Sequence, residues 1–283
     1  MRQALNAATD ALRAAGVEDP RLDAELLLAE ATGWDRARLV ADPDAEVPSA
    51  AARRFGEMVR RRLRREPVAY VVGRRGFRRI ELAVDPRVLI PRPETELLVE
   101  LALESRPDRL LDVGTGSGAI ALAVAEELPE CEVVATDASP AALEVARANA
   151  ARLGLADRVA FHEGTLPPAG AGFDLVLANL PYVSEAEWPS LRPEVTEWEP
   201  REALLAGPDG LDAIRSFLSD RVRPLFRIAE LKAKSASGCV ALEVGAGQAG
   251  AVADLMRRGG FDEIEVRKDL SGIDRVVIGS AAR

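Results

Sequence analysis

Apolar residues recur at helical spacing through the first quarter of the chain and then change period. The stretch LDAELLLAEATG places Leu22, Leu26 and Leu27 on one predicted helix face, and AARRFGEMVRRRLRR, residues 51–65, repeats the pattern. No strand period interrupts it, so residues 1–75 read as a small helical bundle. From YVVGRRGFRRIELAVDPRVLIPRPETE onward, short β-branched and aromatic runs broken by Gly and Asp-Pro predict a hairpin or extended linker over 76–92. A helix then starts at Pro93, with Glu94 and Glu96 in the first turn, where the helix dipole favours acids.

Residues 93–283 alternate strands with helices. RLLDV leads to a helix from Ser117, CEVVATD to a helix from Pro140, and RVAFHE, FDLVLAN, GCVALEV, EIEV and DRVVIG follow as further strands. Alternation of this kind predicts an α/β fold with a mostly parallel sheet covered by helices on both faces. Ligands of such sheets bind beyond the carboxyl ends of the strands, at the topological switch point. RIAELKAKSASG, before the GCVALEV strand, reads as a helix end and a Ser/Gly turn without chemistry.

Composition narrows the class. At 283 residues and 48% hydrophobic content the chain can bury a sizeable core, and no apolar run nears the roughly 20 residues needed to cross a bilayer. The N-terminal stretch reads as an amphipathic helix and not as a signal peptide. Cys131 and Cys239 read as reduced core thiols, which predicts a cytoplasmic setting. A net charge of −9 argues against a main task of gripping nucleic-acid phosphates. Arg60 to Arg65 form a basic run that reads as a solvated helix face before it reads as a partner-steering patch. His162, inside a strand, reads as a strand histidine and not a catalyst.

Two clusters sit at predicted strand ends. The first is LDVGTGSGAIAL, with Asp112, Gly114, Thr115, Gly116 and Gly118 between a strand and a helix, followed by Asp137 and Ala138 at the end of the next strand. The glycines allow a tight turn and close approach of a ligand, and Asp137 is placed for a ribose hydroxyl. Gly114, Gly116 and Ala119 also satisfy a loose dinucleotide fingerprint. Asp112 favours S-adenosyl-L-methionine over NAD, because a carboxylate there repels a pyrophosphate and attracts an α-ammonium; the alternative is a turn residue bonding its own backbone.

The second cluster is ANLPYV, with Asn179, Leu180, Pro181 and Tyr182 after the fourth strand. An amide or aromatic-amine nitrogen is a poor nucleophile because its lone pair is delocalised. An enzyme methylating one must orient it and accept its hydrogens. The Asn179 side-chain oxygen and the Leu180 carbonyl supply two acceptors, Pro181 stiffens the turn, and Tyr182 packs against the planar group. Beyond it, Trp188 and Trp198 read equally as loop anchors or, with Glu197 and Glu199, as a surface for a basic partner.

NLPY is similar to the Asn-Pro-Pro-Tyr motif of amino-methyltransferases, and VLIPRPETELLVE resembles the signature of the HemK/PrmC family of protein-(glutamine-N5) methyltransferases. EPVAYVVGRRGF, EVTEWEPREALLAGPDGLDAI, LEVGAGQ and DLSGIDRVVIG extend the resemblance over nearly the whole chain. It implies a Rossmann-like, seven-stranded class I methyltransferase sheet with a small N-terminal helical domain for substrate recognition; separately, a monomer is expected. The implied reaction transfers a methyl group from S-adenosyl-L-methionine to the glutamine of the Gly-Gly-Gln loop of class I peptide chain release factors, modulating translation termination.

By the same resemblance Asn179, Leu180, Pro181 and Tyr182 hold the glutamine, Pro91 to Glu96, with Arg92 and Glu94, wall its pocket, and Phe77, Pro91, Thr165 and Asn179 join the cofactor contacts. Leu180 departs from the family's proline, Thr165 from a frequent acid after the third strand, and Gly76 from another. Two other readings compete: an N-methyltransferase of adenine or guanine amino groups in DNA or RNA, which shares the Asn-x-Pro-Tyr logic, and a binding module that has lost turnover.

Overall fold

A computed structural model describes residues 1–166, 172–219, 225 and 238–280. The expected turn at 227–238 therefore lies, but for Gly238, outside the described residues. The chain forms two compact units, Met1–Arg74 with Arg192–Trp198, and Arg75–Leu191 with Glu199–Arg283. Residues 192–198 correct the reading of 93–283 as one continuous domain, and the reason is electrostatic: Glu194 pairs with Arg62 and Arg65 of the helical unit.

The first unit is helical: α1 (Arg2–Ala14), α2 (Pro20–Thr32), α3 (Arg36–Ala41), α4 (Ser49–Leu63) and α5 (Val68–Val72), joined by the short α9 (Pro193–Thr196) from the second segment. Its core gathers Leu5, Leu12, Leu27, Leu28, Phe55, Met58 and Val71, each large aliphatic side chain contributing about 1.5–3 kcal/mol by leaving water. The buried face of α2 is Ala24, Leu27, Leu28 and Ala31, at i, i+3, i+4 and i+7, so the expected face of Leu22 and Leu26 is corrected: both are exposed.

The basic run is also corrected. Arg62 is buried and pairs with Asp23 at 2.7 Å and with Glu194 at 2.8 Å; Arg65 meets Glu194 at 2.7 Å, and Arg61 Nε donates to Glu66 at 2.8 Å. Arg61, Arg62 and Arg65 thus bind acids of their own unit, Arg62 and Arg65 away from solvent, while Arg60 and Arg64 stay on the exposed face. Arg192 pairs with Glu18, and Trp198 Nε1 donates to the Arg64 carbonyl at 3.2 Å, so Trp198 is a loop anchor.

The second unit opens with a two-stranded sheet, β1 (Arg74–Phe77) and β2 (Ile80–Ala83), followed by a 3₁₀ turn, Pro93–Thr95, and α6 (Glu96–Ser105). Then come β3 (Arg109–Val113), α7 (Ala119–Glu127), β4 (Glu132–Asp137), α8 (Pro140–Leu153), β5 (Val159–Glu163) and β6 (Leu175–Ala178). They are followed by α10 (Asp212–Leu218), β7 (Cys239–Glu243), α11 (Ala249–Arg258), β8 (Glu263–Lys268) and β9 (Asp274–Ser280). The strands form one seven-stranded sheet in the order β5-β4-β3-β6-β7-β9-β8. Pairs among β3, β4, β5, β6 and β7 are parallel, and β9 is antiparallel to both β7 and β8.

The chain builds one side of β3 through β4 and β5 and then returns to its other side with β6, which puts the switch point between the C-terminal ends of β3 and β6. Register there pairs Val113 with Ala178. The turn that follows β3 therefore lies opposite Asn179. One sheet face packs Leu111, Val113, Val176, Ala178, Val240 and Leu242 against Ile214, Phe217, Val252 and Met256 of α10 and α11.

Candidate active site

Beyond β3 the chain turns on Gly114, Gly116 and Gly118, with φ of +73°, +56° and +86°, a region L side chains enter only at a cost. The Gly114 and Thr115 amides both donate to the Thr136 carbonyl at 2.9 Å. Asp137 completes the turn: its Oδ2 accepts the Gly116 N–H and its Oδ1 the Ser139 N–H, each at 2.8 Å. Asn149, fully buried on α8, fastens the same corner from behind by donating to the Ser117 and Ala83 carbonyls at 2.9 and 3.0 Å and accepting the Ala83 N–H at 2.7 Å. Nothing in the sequence around Asn149 signals this role, because the partners lie 32 and 66 positions away.

The turn opens into a cavity of about 410 Å³, within the range of small-molecule and cofactor sites. Gly114, Gly116, Asp137, Ala138, Thr165, Asn179, Leu180 and Pro181 line it, with Val88, Leu89, Leu166 and Phe217 as apolar walls. Most of the expected cofactor residues thus converge on one hollow. Leu180, the departure from proline, packs its side chain toward the turn: a β-carbon built on Gly114 would stand 3.5 Å from Leu180 Cδ2 and 3.7 Å from the Asn179 carbonyl oxygen.

Asn179 Nδ2 donates to Thr95 Oγ1 at 3.1 Å, which leaves Oδ1 as the other end of the amide. Tyr182 lies on a neighbouring hollow with Val183, Gly245, Gln248 and Arg275. Its hydroxyl donates to Glu243 Oε1 at 3.4 Å, and burial, with the charge of Glu243, holds its pKa above the usual phenol value. Gln248 fixes the backbone by donating from Nε2 to the Tyr182 carbonyl at 2.8 Å while its Oε1 accepts the Gly245 N–H at 2.9 Å.

Several expected residues lie elsewhere. Asp112 is fully buried under the turn: Oδ2 accepts the Thr115 hydroxyl at 2.6 Å and the Ala121 N–H at 3.2 Å, and Oδ1 has no partner. The reading of Asp112 as a direct ligand of an ammonium is corrected to that of a group bracing the turn. Burial raises its pKa to about 7, with Asp137 adding to the shift. Thr115 is buried beside it, and Gly118 caps α7, where a β-carbon would meet Leu122 Cδ1 at 2.7 Å. Phe77, at 2% exposure, is a core residue, and Pro91 is buried; neither lines the cavity. α7 begins at Ala119, not Ser117, and Pro93 starts a 3₁₀ turn before α6.

Arg92 donates through Nη2 to Glu199 Oε1 at 2.5 Å, and Glu199 Oε2 accepts the Ile90 N–H at 3.1 Å. Glu199 is therefore an internal tether of the segment before α6, not a surface for a basic partner. Glu94 stays half-buried near Glu243, whose pKa its charge helps to raise. Trp188 packs under the Arg201 guanidinium, 5.3 Å from ring centre to Cζ, and His162 sits in β5. Glu243, Asn149, Gln248 and Glu199 went unread in the sequence as site-builders, and Thr95 was read only as part of the Pro91 to Glu96 wall; of the four, Glu243 alone had a signal, as an acid closing an apolar strand.

The residues fit a nucleoside-bearing methyl donor. A positive-φ glycine cradle stands open, a carboxylate lies at its rim, and apolar walls flank both. Among the described residues no helix is long and apolar enough to cross a membrane.

Comparison with known proteins agrees with this geometry. Residues 3–73 match a family model described as the PrmC N-terminal domain, and residues 110–198 match a methyltransferase domain. The release factor glutamine methyltransferase of Caulobacter vibrioides is 42% identical over 283 residues, covering 98% of this chain and 95% of that protein. Its counterpart in Moorella thermoacetica is 44% identical over 282 residues, covering 97% and 96%. Among solved structures, the hMettl16 catalytic domain in complex with MAT2A 3'UTR hairpin 6 has a TM-score of 0.55 at 15% identity, covering 71% of this chain and 76% of that one, a likeness of fold alone. With relatives more than 40% identical over nearly its whole length and residues 3–73 matched to the PrmC N-terminal domain, the chain belongs to the release factor glutamine methyltransferase family.

Proposed function

We propose that this protein methylates the side-chain amide nitrogen of the glutamine in the Gly-Gly-Gln loop of class I peptide chain release factors, with S-adenosyl-L-methionine as donor, in the cytoplasm. The observation that carries the reading is the Asn179 amide, anchored through Nδ2 to Thr95 and lining the same cavity as the glycine turn. Its Oδ1 accepts one N–H of the substrate carboxamide, and the Leu180 carbonyl accepts the other. Pro181 restricts Leu180 to extended backbone, so the second acceptor is held in place before substrate arrives. Tyr182 gives the planar group a face to pack on. Gly114, Gly116, Asp137, Ala138 and Thr165 hold the donor, with Asp137 taking ribose hydroxyls on lone pairs left over from its backbone bonds. When bound, the donor supplies an electrophilic methyl group on a positively charged sulfur. The residues of the chain do the positioning, which is a large share of what such a transfer needs. The methylated nitrogen, cationic once its lone pair has taken the methyl from sulfur, gives up one proton to solvent to restore a neutral amide.

The test offers labelled donor with a release factor, with its Gln→Ala variant at the tripeptide, or with bulk DNA and RNA. Label appears on the first and not on the others. Asn179→Ala abolishes transfer while S-adenosylhomocysteine still binds in a calorimeter; label on nucleic acid alone would replace the reading with that of an adenine or guanine N-methyltransferase, the alternative sharing the same corner.

A further inference from the structure

Glu243, at the end of β7, is a carboxylate with 2% exposure, and its Oε2 has no hydrogen-bond partner. A bare buried oxygen of this kind costs stability that an amide or an apolar side chain would avoid. Its neighbours tie it to the Asn-Leu-Pro-Tyr corner. Tyr182 donates to Oε1, and the Thr95 hydroxyl, itself 4% exposed, lies near enough to lower the carboxyl's proton affinity against the effect of burial. Thr95 is also the anchor of Asn179.

We propose that Glu243 acts through Thr95 as a positioning residue that determines which end of the Asn179 amide faces the substrate. An ionised carboxylate can only accept. The Thr95 hydroxyl turns its one proton toward Glu243, so it has only lone pairs to offer Asn179. Asn179 must then present Nδ2 to Thr95 and Oδ1 to the cavity, which is the arrangement observed. Without the carboxylate, Thr95 is free to donate to Asn179 Oδ1, and the amide rotates by half a turn to put an NH₂ group against the substrate's own N–H. Oε1 of the same carboxylate accepts the Tyr182 hydroxyl, a bond that a glutamine oxygen at this position also accepts, so Glu243→Gln acts on the corner through Thr95. Glu94 and Arg275 are the other charged groups acting on the carboxylate.

The inference rests on the proposed role of Asn179 as acceptor of the glutamine carboxamide, and the experiment separates the two. Glu243→Gln, Thr95→Val, Thr95→Ser and the double variant Glu243→Gln/Thr95→Val are assayed at pH 8.5, above the carboxyl's pKa of about 7. Glu243→Gln and Thr95→Val each lower kcat about 10- to 100-fold with S-adenosylhomocysteine affinity unchanged, and Thr95→Ser, which keeps the hydroxyl, recovers the loss. Glu243→Gln adds nothing on the Thr95→Val background, because the link is already cut. In protein labelled with ¹⁵N-asparagine, the Asn179 side-chain amide, assigned by its disappearance in Asn179→Ala, shifts in Glu243→Gln whether or not transfer occurs. Additive losses, or an Asn179 resonance indifferent to Glu243→Gln in a variant that still binds S-adenosylhomocysteine, overturn the relay. A wild-type enzyme that leaves release factors unlabelled, with the Asn179 resonance still shifted in Glu243→Gln, overturns the substrate reading and not the relay.

Discussion

Asp112 shows how a single side chain misleads when its position in the pleat is ignored. Leu111 and Val113 point to the α10–α11 face of the sheet, so Asp112, between them, points to the other, under α7. That alternation was readable in RLLDV, and applying it would have placed the carboxylate beneath the turn instead of in the cavity. Its energetic consequence is a pH dependence. A carboxyl whose folded pKa is about 7 against an ordinary value near 4 binds its proton more tightly in the folded state. The stabilisation belongs to low pH and is lost as pH rises from about 4 through about 7. Asp112→Asn does not titrate, so its stability relative to wild type improves between pH 5 and pH 8.5. Urea unfolding at the two values checks this, and a constant difference would mean that Asp112 is ionised throughout.

At the scale of elements, the sheet was legible because its strands are buried runs bounded by Gly, Pro and Asp, and because β–α alternation leaves few topologies. The tethers between elements were not legible, since Glu199 with Ile90, Asn149 with Ala83 and Arg62 with Glu194 join residues far apart in the chain. α9 is a case in point. PEVT has no helical strength of its own, and it is held by Glu194 between Arg62 and Arg65. Burial raises the Glu194 carboxyl, but the hydrogen bonds and charges of the two arginines outweigh it and bring the pKa down to about 2. Here the sign is the opposite of that for Asp112: the contribution is complete above the ordinary glutamate pKa near 4.5 and disappears as pH falls toward about 2. Glu194→Gln therefore lowers the melting temperature at pH 7, and the gap from wild type narrows at pH 3. A gap of equal size at both values would assign the loss to packing and not to charge.

For the molecule as a whole, net charge and the disposition of arginines decide between substrates. The sequence has 46 acidic and 37 basic residues, and the run that looked most like a phosphate patch commits Arg61, Arg62 and Arg65 to internal acids. A protein gripping nucleic acid through 6–10 phosphate contacts loses about 10³- to 10⁵-fold in affinity between 50 and 200 mM salt. Under the proposed function the substrate is a protein loop taken by two hydrogen-bond acceptors and a ring, and screening of a few surface charges then changes binding by a factor of a few. The Michaelis constant for a release factor, measured over that range of salt, should move less than about tenfold, and heparin in excess should leave the rate nearly unchanged. A steep salt slope together with strong heparin inhibition would show that cations outside the internal pairs, Arg60 and Arg64 first among them, form a polyanion surface, and would return the adenine and guanine reading to contention.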